Sequence, residues 1–162
     1  MIKNKLLTLD FSLISNYNSY METEKIISLA ARIREEANRF ILAELAQLGI
    51  KELAPSHGDI LFVLYSSDSV TMGELKKRIN RDKSTVTALV NKLVKLGYIN
   101  RLKDYTDNRV TLVSLTPKGL ALKPRFFEIS DKLITKIYQG INQEQQISLV
   151  VNLERVLKNL KK

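Results

Sequence analysis

The sequence predicts a mainly α-helical fold that carries one small β-hairpin among its helices. Three observations predict it: apolar residues recur at helical spacing, paired capping signals mark several helix starts, and the stretch after Gly97 has the composition of strands. The chain has 162 residues, which is long enough for one domain with its own core. Its 44% apolar and 27% charged residues are typical of a globular protein.

The first two predicted helices precede a short polar break. Apolar residues recur every three to four positions from about Glu22, and this helix ends at Gly49. A second, short helix is predicted to begin at Ser56, whose oxygen would cap it, while Asp59 favours the positive end of the helix dipole. The apolar face of that helix begins at Ile60.

The next two helices are separated by a tight turn. Thr71 and Glu74 have the spacing of a capping box, so a third helix is predicted to begin there and to end near Ile79. Residues 80–82 form the turn, and a fourth helix is predicted over 83–96, closed by Gly97. Its apolar stripe consists of Val86, Leu89, Val90, Leu93 and Leu96.

The chain then predicts a hairpin and two further helices. The strands are Ile99–Leu102 and Val110–Leu115, joined by a polar tip over 103–109. Thr116 followed by Pro117 predicts the start of the fifth helix.

Within the fifth helix, Pro124 is expected to bend or interrupt the helix near Leu120. Gly140 ends it, and Asn142 with Gln145 caps the last helix. The residues of this last helix that are expected to point inward are Leu149, Val150, Leu153, Val156, Leu157 and Leu160.

The positive charge is concentrated in one third of the chain. Between Thr71 and Arg125 there are 13 Lys and Arg but four Asp and Glu, so this segment carries the whole net charge of +9. Such a block favours a polyanion as partner, because each neutralised phosphate releases condensed counterions. A solvated basic surface and an anionic membrane surface remain as alternatives.

Composition narrows the chemistry that the chain can perform. The absence of Cys excludes disulfides and thiol chemistry, and a zinc site with the single His would depend on carboxylates. The longest apolar run, Ile60–Tyr65, is far shorter than the ~20 residues that span a bilayer, and residues 1–20 have no signal-peptide core. The sequence has no phosphate-binding glycine loop and no nucleophile–base pair, so we expect no enzymatic activity, no cofactor and no bound metal. We also expect a cytoplasmic protein that does not associate with a membrane.

Short helices, a tight turn, a third helix and a hairpin are the layout of a winged helix-turn-helix. The polar face of the helix over 83–96 suits the major groove of double-stranded DNA, and the hairpin can flank the same duplex. The candidate DNA-binding residues of this helix are Lys83, Ser84, Thr85, Thr87, Ala88, Asn91, Lys92 and Lys95. Those of the hairpin, or wing, are Arg101, Lys103, Asp107 and Arg109, where Asp107 would orient the Arg109 guanidinium.

Two stretches resemble the MarR family of bacterial transcriptional regulators. Asp107-Asn108-Arg109 followed by Val113 to Gly119 resembles that family's wing signature, and Lys83 to Val90 with Leu96-Gly97-Tyr98-Ile99 is similar to its recognition helix and exit. The resemblance implies a homodimeric repressor that binds a pseudo-palindromic site and is released by a small anionic or phenolic effector. The effector site would lie between the winged helix and the dimerisation helices.

The predicted organisation is a single domain over 1–162. Dimerisation helices would occupy 22–48 and 118–162, the winged helix-turn-helix 53–117, and residues 1–20 an extension that no pattern assigns. The apolar stripes outside the winged helix support a dimer, although these helices could instead pack on each other within one chain.

Several residues admit more than one interpretation. His57 is expected at a helix start or in a cleft rather than in catalysis. The aromatic residues are expected in the core rather than in an effector pocket; they are Phe40, Phe62, Tyr65, Phe126 and Phe127. A winged helix that binds an acidic protein instead of DNA is the competing function.

Overall fold

The structure, a computed structural model, describes residues 25–103 and 109–161. Over these residues, the predicted class of a mainly α-helical fold with a small β-hairpin is confirmed. The helices are α1 (Ile26–Gln47), α2 (Pro55–Tyr65), α3 (Met72–Ile79), α4 (Lys83–Lys95), α5 (Pro117–Ile137) and α6 (Gln143–Asn159). The strands are β1 (Val70–Thr71), β2 (Ile99–Lys103) and β3 (Thr111–Leu115).

The chain comprises two compact units, residues 1–39 and 40–162, and their boundary lies within α1. In the first unit the described residues are helical from Ile26, and the exposed Arg39 pairs with Glu35 and Glu36. Among the described residues of both units, no helix is both long and apolar enough to cross a membrane.

The second unit contains the hydrophobic core. Ile60 of α2, Leu75 of α3, Val90 of α4 and Val113 of β3 are all completely buried in it. Because each comes from a different element, the core holds the three short helices and the sheet together as one body. This body positions α4 with its apolar side inward, as the sequence predicts.

The sheet has one more strand than the sequence predicts. Its order is β1-β3-β2 and both pairs are antiparallel, with Arg101 opposite Val113 and Val70 also opposite Val113. β1 has two residues and therefore shows no alternation of polar and apolar side chains. It was missed because its pairing depends on β3, which is some forty residues away in the chain.

The capping prediction at Ser56 is wrong. α2 begins one residue earlier, with Ala54 as N-cap and Pro55 in the first turn. The side chain of His57 replaces a polar cap, since its Nδ1 accepts a hydrogen bond of 2.8 Å from the Ala54 backbone N–H. Capping boxes at Thr71 with Glu74 and at Asn142 with Gln145 are confirmed.

Of the two effects expected at Pro124, an interruption is ruled out, since α5 continues from Pro117 to Ile137; a bend near Leu120 stays a prediction. Contacts on both sides of the proline hold the helix. The Tyr65 hydroxyl donates to the Gly119 carbonyl at 3.1 Å, and the Lys123 Nζ donates to the Tyr65 carbonyl at 3.0 Å. Together with the burial of Ile129, these contacts offset a cost of about 3 kcal/mol for a proline inside a helix.

The apolar residues of α6 do not point inward within the chain. Leu153 is 42% exposed and Leu157 is 57% exposed, and no residue of α6 is buried. Among residues 25–103 and 109–161, nothing buries the apolar side of α6.

The aromatic residues divide between core and surface. Tyr65 is buried and stacks edge-on against Phe126 with ring centroids 5.1 Å apart, and Phe127 contacts both rings. Phe62 is 59% exposed and Phe127 is 36% exposed, so the expectation that these two residues belong to the core is wrong.

Candidate nucleic-acid interface

The outward face of α4 is polar, small and exposed. Ser84, Ala88, Asn91 and Lys95 recur at spacings of three and four residues, which places them on one side of the helix. All four are exposed, while Val86, Val90 and Leu93 on the opposite side are buried. The small side chains at the centre of this face allow close approach to a groove.

The other predicted residues of α4 flank this face. Thr85 and Thr87 are half-buried, and Lys83 and Lys92 are exposed. Lys92 lies toward His57: burial, and secondarily the charge of Lys92, lower the pKa of that imidazole below its usual 6.5.

Asp82 organises the start of α4. As the N-cap, its carboxylate accepts from the Thr85 backbone N–H at 2.8 Å. It also accepts from the Thr85 hydroxyl at 2.6 Å and from the Ser84 hydroxyl. The hydrogen bonds from Ser84 and Thr85 hold the pKa of Asp82 well below its usual range, so this carboxylate is ionised at neutral pH.

A hydrogen bond joins α4 to the wing. The Arg101 guanidinium on β2 donates to Oδ1 of Asn91 at 2.5 Å. Both side chains are exposed, so the bond lies on the surface that α4 and β2 share. The two predicted groups of DNA-binding residues therefore meet at this point.

The wing carries its charges outward. Arg101 and Lys103 on β2 and Arg109 before β3 are exposed. Asp107 falls outside the described residues, as does the rest of 104–108, and its predicted pairing with Arg109 stays a prediction.

The basic segment forms an exposed charged surface. Of its thirteen Lys and Arg between Thr71 and Arg125, twelve are exposed, and only Lys123 is half-buried. The neighbouring turn is neutralised in part, because Arg81 lies 3.8 Å from the carboxylate of Asp59. A surface of this kind attracts phosphate groups at long range, and its Lys and Arg side chains can then contact them directly.

A second group of contacts fixes the end of α4 to α5. The Lys118 Nζ donates to the Leu96 carbonyl at 2.8 Å and lies 4.3 Å from the Tyr98 ring centroid. The Thr116 hydroxyl donates to the Gly97 carbonyl at 2.6 Å. Lys118 is therefore a structural anchor rather than a free surface charge.

Burial raises the pKa of Tyr98 to about 12, and the hydrogen bond of 3.1 Å that its hydroxyl donates to Glu52 acts in the same direction. The phenol therefore stays protonated and keeps this bond near neutral pH.

A cavity of about 660 Å³ lies beside the turn that precedes α4. Its walls are mainly apolar, with His57, Arg78 and Arg81 among the polar groups. The apolar part is formed by Ile41, Leu45, Leu53, Leu61, Phe62, Val63, Ile79, Leu122, Phe126, Ile129 and Leu133. Its size and mixed lining suit a small organic molecule.

The sequence patterns predict neither the cavity nor the hydrogen bonds that Asp82 accepts. They place Asp82 in a turn, although an Asp directly before Lys83 carries the signal of an N-cap. The cavity could not be found, because its walls come from four helices that are distant in sequence.

The model of the MarR family matches residues 53–111. The HTH-type transcriptional regulator YcgE of Bacillus subtilis (strain 168), described as uncharacterized, is 30% identical over 135 residues, which cover 83% of this chain and 86% of YcgE. The HTH-type transcriptional regulator SarZ of Staphylococcus haemolyticus is 29% identical over 100 residues, 62% of this chain and 67% of SarZ. The matched part is thus about two thirds of SarZ.

Solved structures share the fold. A mutant MarR from E. coli complexed with operator DNA gives a TM-score of 0.73 at 23% identity, with 84% of this chain and 96% of that chain covered. BpsR of Bordetella bronchiseptica, whose DNA binding is regulated by 6-hydroxynicotinic acid, gives a TM-score of 0.70 at 19% identity. That comparison covers 82% of this chain and 98% of BpsR.

Proposed function

This chain belongs to the MarR family of transcriptional regulators, and on that premise we propose that it is a homodimer that represses transcription from a pseudo-palindromic operator. A small anionic or phenolic effector releases it from the DNA, and it acts in the cytoplasm, where bacterial DNA lies. The observation that carries the proposal is the exposed polar face of α4, joined to a basic wing through Arg101 and Asn91.

The reading mode follows from the shape of this surface. α4 enters the major groove with the face of Ser84, Ala88, Asn91 and Lys95, and Arg101, Lys103 and Arg109 follow the adjacent backbone and minor groove. Asp107 orients the wing arginine, and Lys83, Thr85, Thr87 and Lys92 contact phosphates or bases at the edges of the face.

A dimer supplies the second half of the recognition surface. The apolar side of α6 is exposed in one chain, and a second copy related by two-fold symmetry covers it. The two α4 helices then lie about 34 Å apart, in successive major grooves.

Salt-dependent binding to duplex DNA tests the proposal. A duplex enriched from a randomised pool is expected to bind at least about tenfold more tightly than a scrambled duplex of the same length. Between about 50 and about 200 mM salt, affinity is expected to fall about thousandfold, as for a protein with several phosphate contacts. Equal affinity for both duplexes, or binding that salt hardly changes, would contradict sequence-specific DNA binding and favour an acidic protein partner.

The cavity is the proposed effector site. Arg78 and Arg81 supply positive charge for an anion, which Asp59 of the same lining offsets in part, and both arginines lie in the stretch that leads into α4. A molecule bound there favours one position of that turn over another, and so changes the alignment of α4 with the groove.

The 6-hydroxynicotinate anion is a suitable first probe. It is expected to raise the melting temperature of the protein and to weaken its binding to the selected duplex. Arg81→Gln should reduce both effects, whereas Arg125→Gln should not, because Arg125 pairs with Glu128 and does not line the cavity. Equal responses of the two variants would remove the cavity from the proposal.

A further inference from the structure

The hydroxyl protons at the start of α4 are all used within the protein. The Ser84 and Thr85 hydroxyls both donate to the carboxylate of Asp82, and the Thr87 hydroxyl donates to the Lys83 carbonyl at 2.8 Å. An ionised carboxylate and a carbonyl can only accept, and a hydroxyl has a single proton. These three side chains therefore offer lone pairs, and no proton, to an outside partner.

The centre of the same helix has the opposite polarity. A guanidinium has donors only, so Asn91 must present its carbonyl oxygen to Arg101. The two amide protons of Asn91 are then left for other partners. The outward face of α4 thus changes from acceptors at Ser84 and Thr85 to donors at Asn91 within two helical turns.

We propose that Asp82 sets the base preference of α4 by holding Ser84 and Thr85 as acceptors. They take hydrogen bonds from the amino groups of adenine or cytosine in the major groove, while Asn91 donates to purine N7 or to guanine or thymine oxygens. This inference rests on the proposed function, because it requires α4 to lie in the major groove. Asp82 is a positioning residue, since it acts through the hydroxyls and need not touch a base.

The substitution Asp82→Asn separates this role from capping. The oxygen that accepts from the Thr85 backbone N–H also accepts from Ser84, whereas the other oxygen accepts only from the Thr85 hydroxyl. Asn caps helices as well as Asp does. In the variant, the amide carbonyl oxygen therefore accepts from the Thr85 backbone N–H and from Ser84, and the amide nitrogen faces the Thr85 hydroxyl. The amide then donates to Thr85, whose proton becomes available to the DNA, while Ser84 stays an acceptor.

The experiment first maps the base positions. Duplexes are selected from a randomised pool by the wild type, by Ser84→Ala and by Thr85→Val, which removes the hydroxyl while keeping the volume. In the wild-type duplex, each adenine is then replaced by purine, which lacks the amino group, or by 7-deazaadenine, which lacks N7. At the positions that depend on Ser84 and Thr85, loss of the amino group should weaken binding about threefold to tenfold, and loss of N7 should not.

Asp82→Asn then tests the inference directly. The preferred base at the Thr85 position should change from an amino-group donor to an acceptor such as guanine, with a change in relative affinity of about threefold to tenfold. The preference at the Ser84 position should stay as in the wild type. Asp82→Ser, which caps through one oxygen, should change both positions; circular dichroism checks that each variant is folded.

The outcomes are distinguishable. A uniform change in affinity for all sequences would show that Asp82 only caps the helix or repels phosphates, and would overturn the inference. The same conclusion follows if Ser84→Ala and Thr85→Val change no base preference, or if removal of N7 weakens binding where removal of the amino group does not. If the wild type itself enriches no sequence, the proposed function fails.

Discussion

The winged helix-turn-helix and α6 share the same local sequence signals, but their apolar residues differ in burial. α3 and α6 both begin with a complete capping box, and both carry apolar residues at helical spacing. Yet Leu75 of α3 is completely buried, whereas Leu157 of α6 is 57% exposed. Capping and periodicity thus decide that a helix forms, but not whether its own chain covers it.

The two regions obtain their stability from different contacts. The winged helix closes its core with elements of one chain, so substitutions there should change folding. In the proposed homodimer, a second copy buries the apolar side of α6, so substitutions there should change association first.

Gly119→Ala is expected to cause the largest loss of folding stability. A Cβ at this position would lie 2.1 Å from the Tyr98 carbonyl oxygen, and backbone on both sides must move to relieve it. The expected cost is about 3 kcal/mol or more, measured by urea unfolding. Gly58→Ala is the matched control: its Cβ would meet Phe126 at 3.5 Å, and the change should be neutral or stabilising by up to about 1 kcal/mol.

Leu153→Lys on α6 should dissociate the dimer while leaving each chain folded. Two-fold symmetry places the new charge at the interface twice, and a buried unpaired charge is costly. Sedimentation should show dimer dissociation at least about a hundredfold easier, which corresponds to about 2.7 kcal/mol. Ser148→Lys adds the same charge on the opposite, polar side of α6 and should leave the dimer intact; equal effects of both would show that α6 is not the interface.

Arg109→Ala should weaken DNA binding by about 1–3 kcal/mol per half-site and leave folding and association unchanged. If the wing arginine enters the minor groove, the loss should be larger on a duplex with A·T-rich flanks than on one with scrambled flanks. Lys95→Ala serves as the comparison: if it removes only a phosphate contact, it should weaken all sequences alike and lower the salt slope by about one. An Arg109→Ala variant that binds both duplexes like the wild type would reduce the wing to a structural hairpin.

His57 is expected to give the smallest effect, a dependence of folding stability on pH. Its pKa in the folded protein lies below the usual 6.5, because burial, helped by Lys92, disfavours the charged imidazole. The unfolded chain therefore binds this proton more readily, so stability is complete above about pH 6.5 and is lost as the pH falls through the folded pKa. Protonation also removes the Nδ1 acceptor from the Ala54 N–H.

Thermal melts of His57→Gln between about pH 8 and about pH 5 check this prediction. Gln at this position can still accept from the N-cap N–H, as in a capping box, but does not titrate. The difference in melting temperature between wild type and variant should change in the variant's favour at low pH. A difference that stays constant with pH would show that His57 titrates as it does in the unfolded chain.

Local signals in the sequence were sufficient to predict most helix starts and the composition of the outward face of α4. Thr71, Thr116 and Asn142 cap the helices as predicted, because an N-cap bond joins residues only three apart. The apolar stripe of α4 fixed in the same way which side of that helix faces outward. The concentration of basic residues and the wing motif predicted the class of function that the family comparison then showed.

Features that join distant parts of the chain depend on tertiary packing, so local sequence patterns could not predict them. β1 forms because Val70 pairs with Val113. α5 continues through Pro124 because the Tyr65 hydroxyl of α2 holds its first turn by a hydrogen bond to the Gly119 carbonyl. His57 caps α2 through the Nδ1 atom of a buried imidazole. No spacing rule predicts which imidazole nitrogen accepts this hydrogen bond. Whether an apolar stripe is buried depends on what packs against it, and nothing in the described part of the chain buries the stripe of α6.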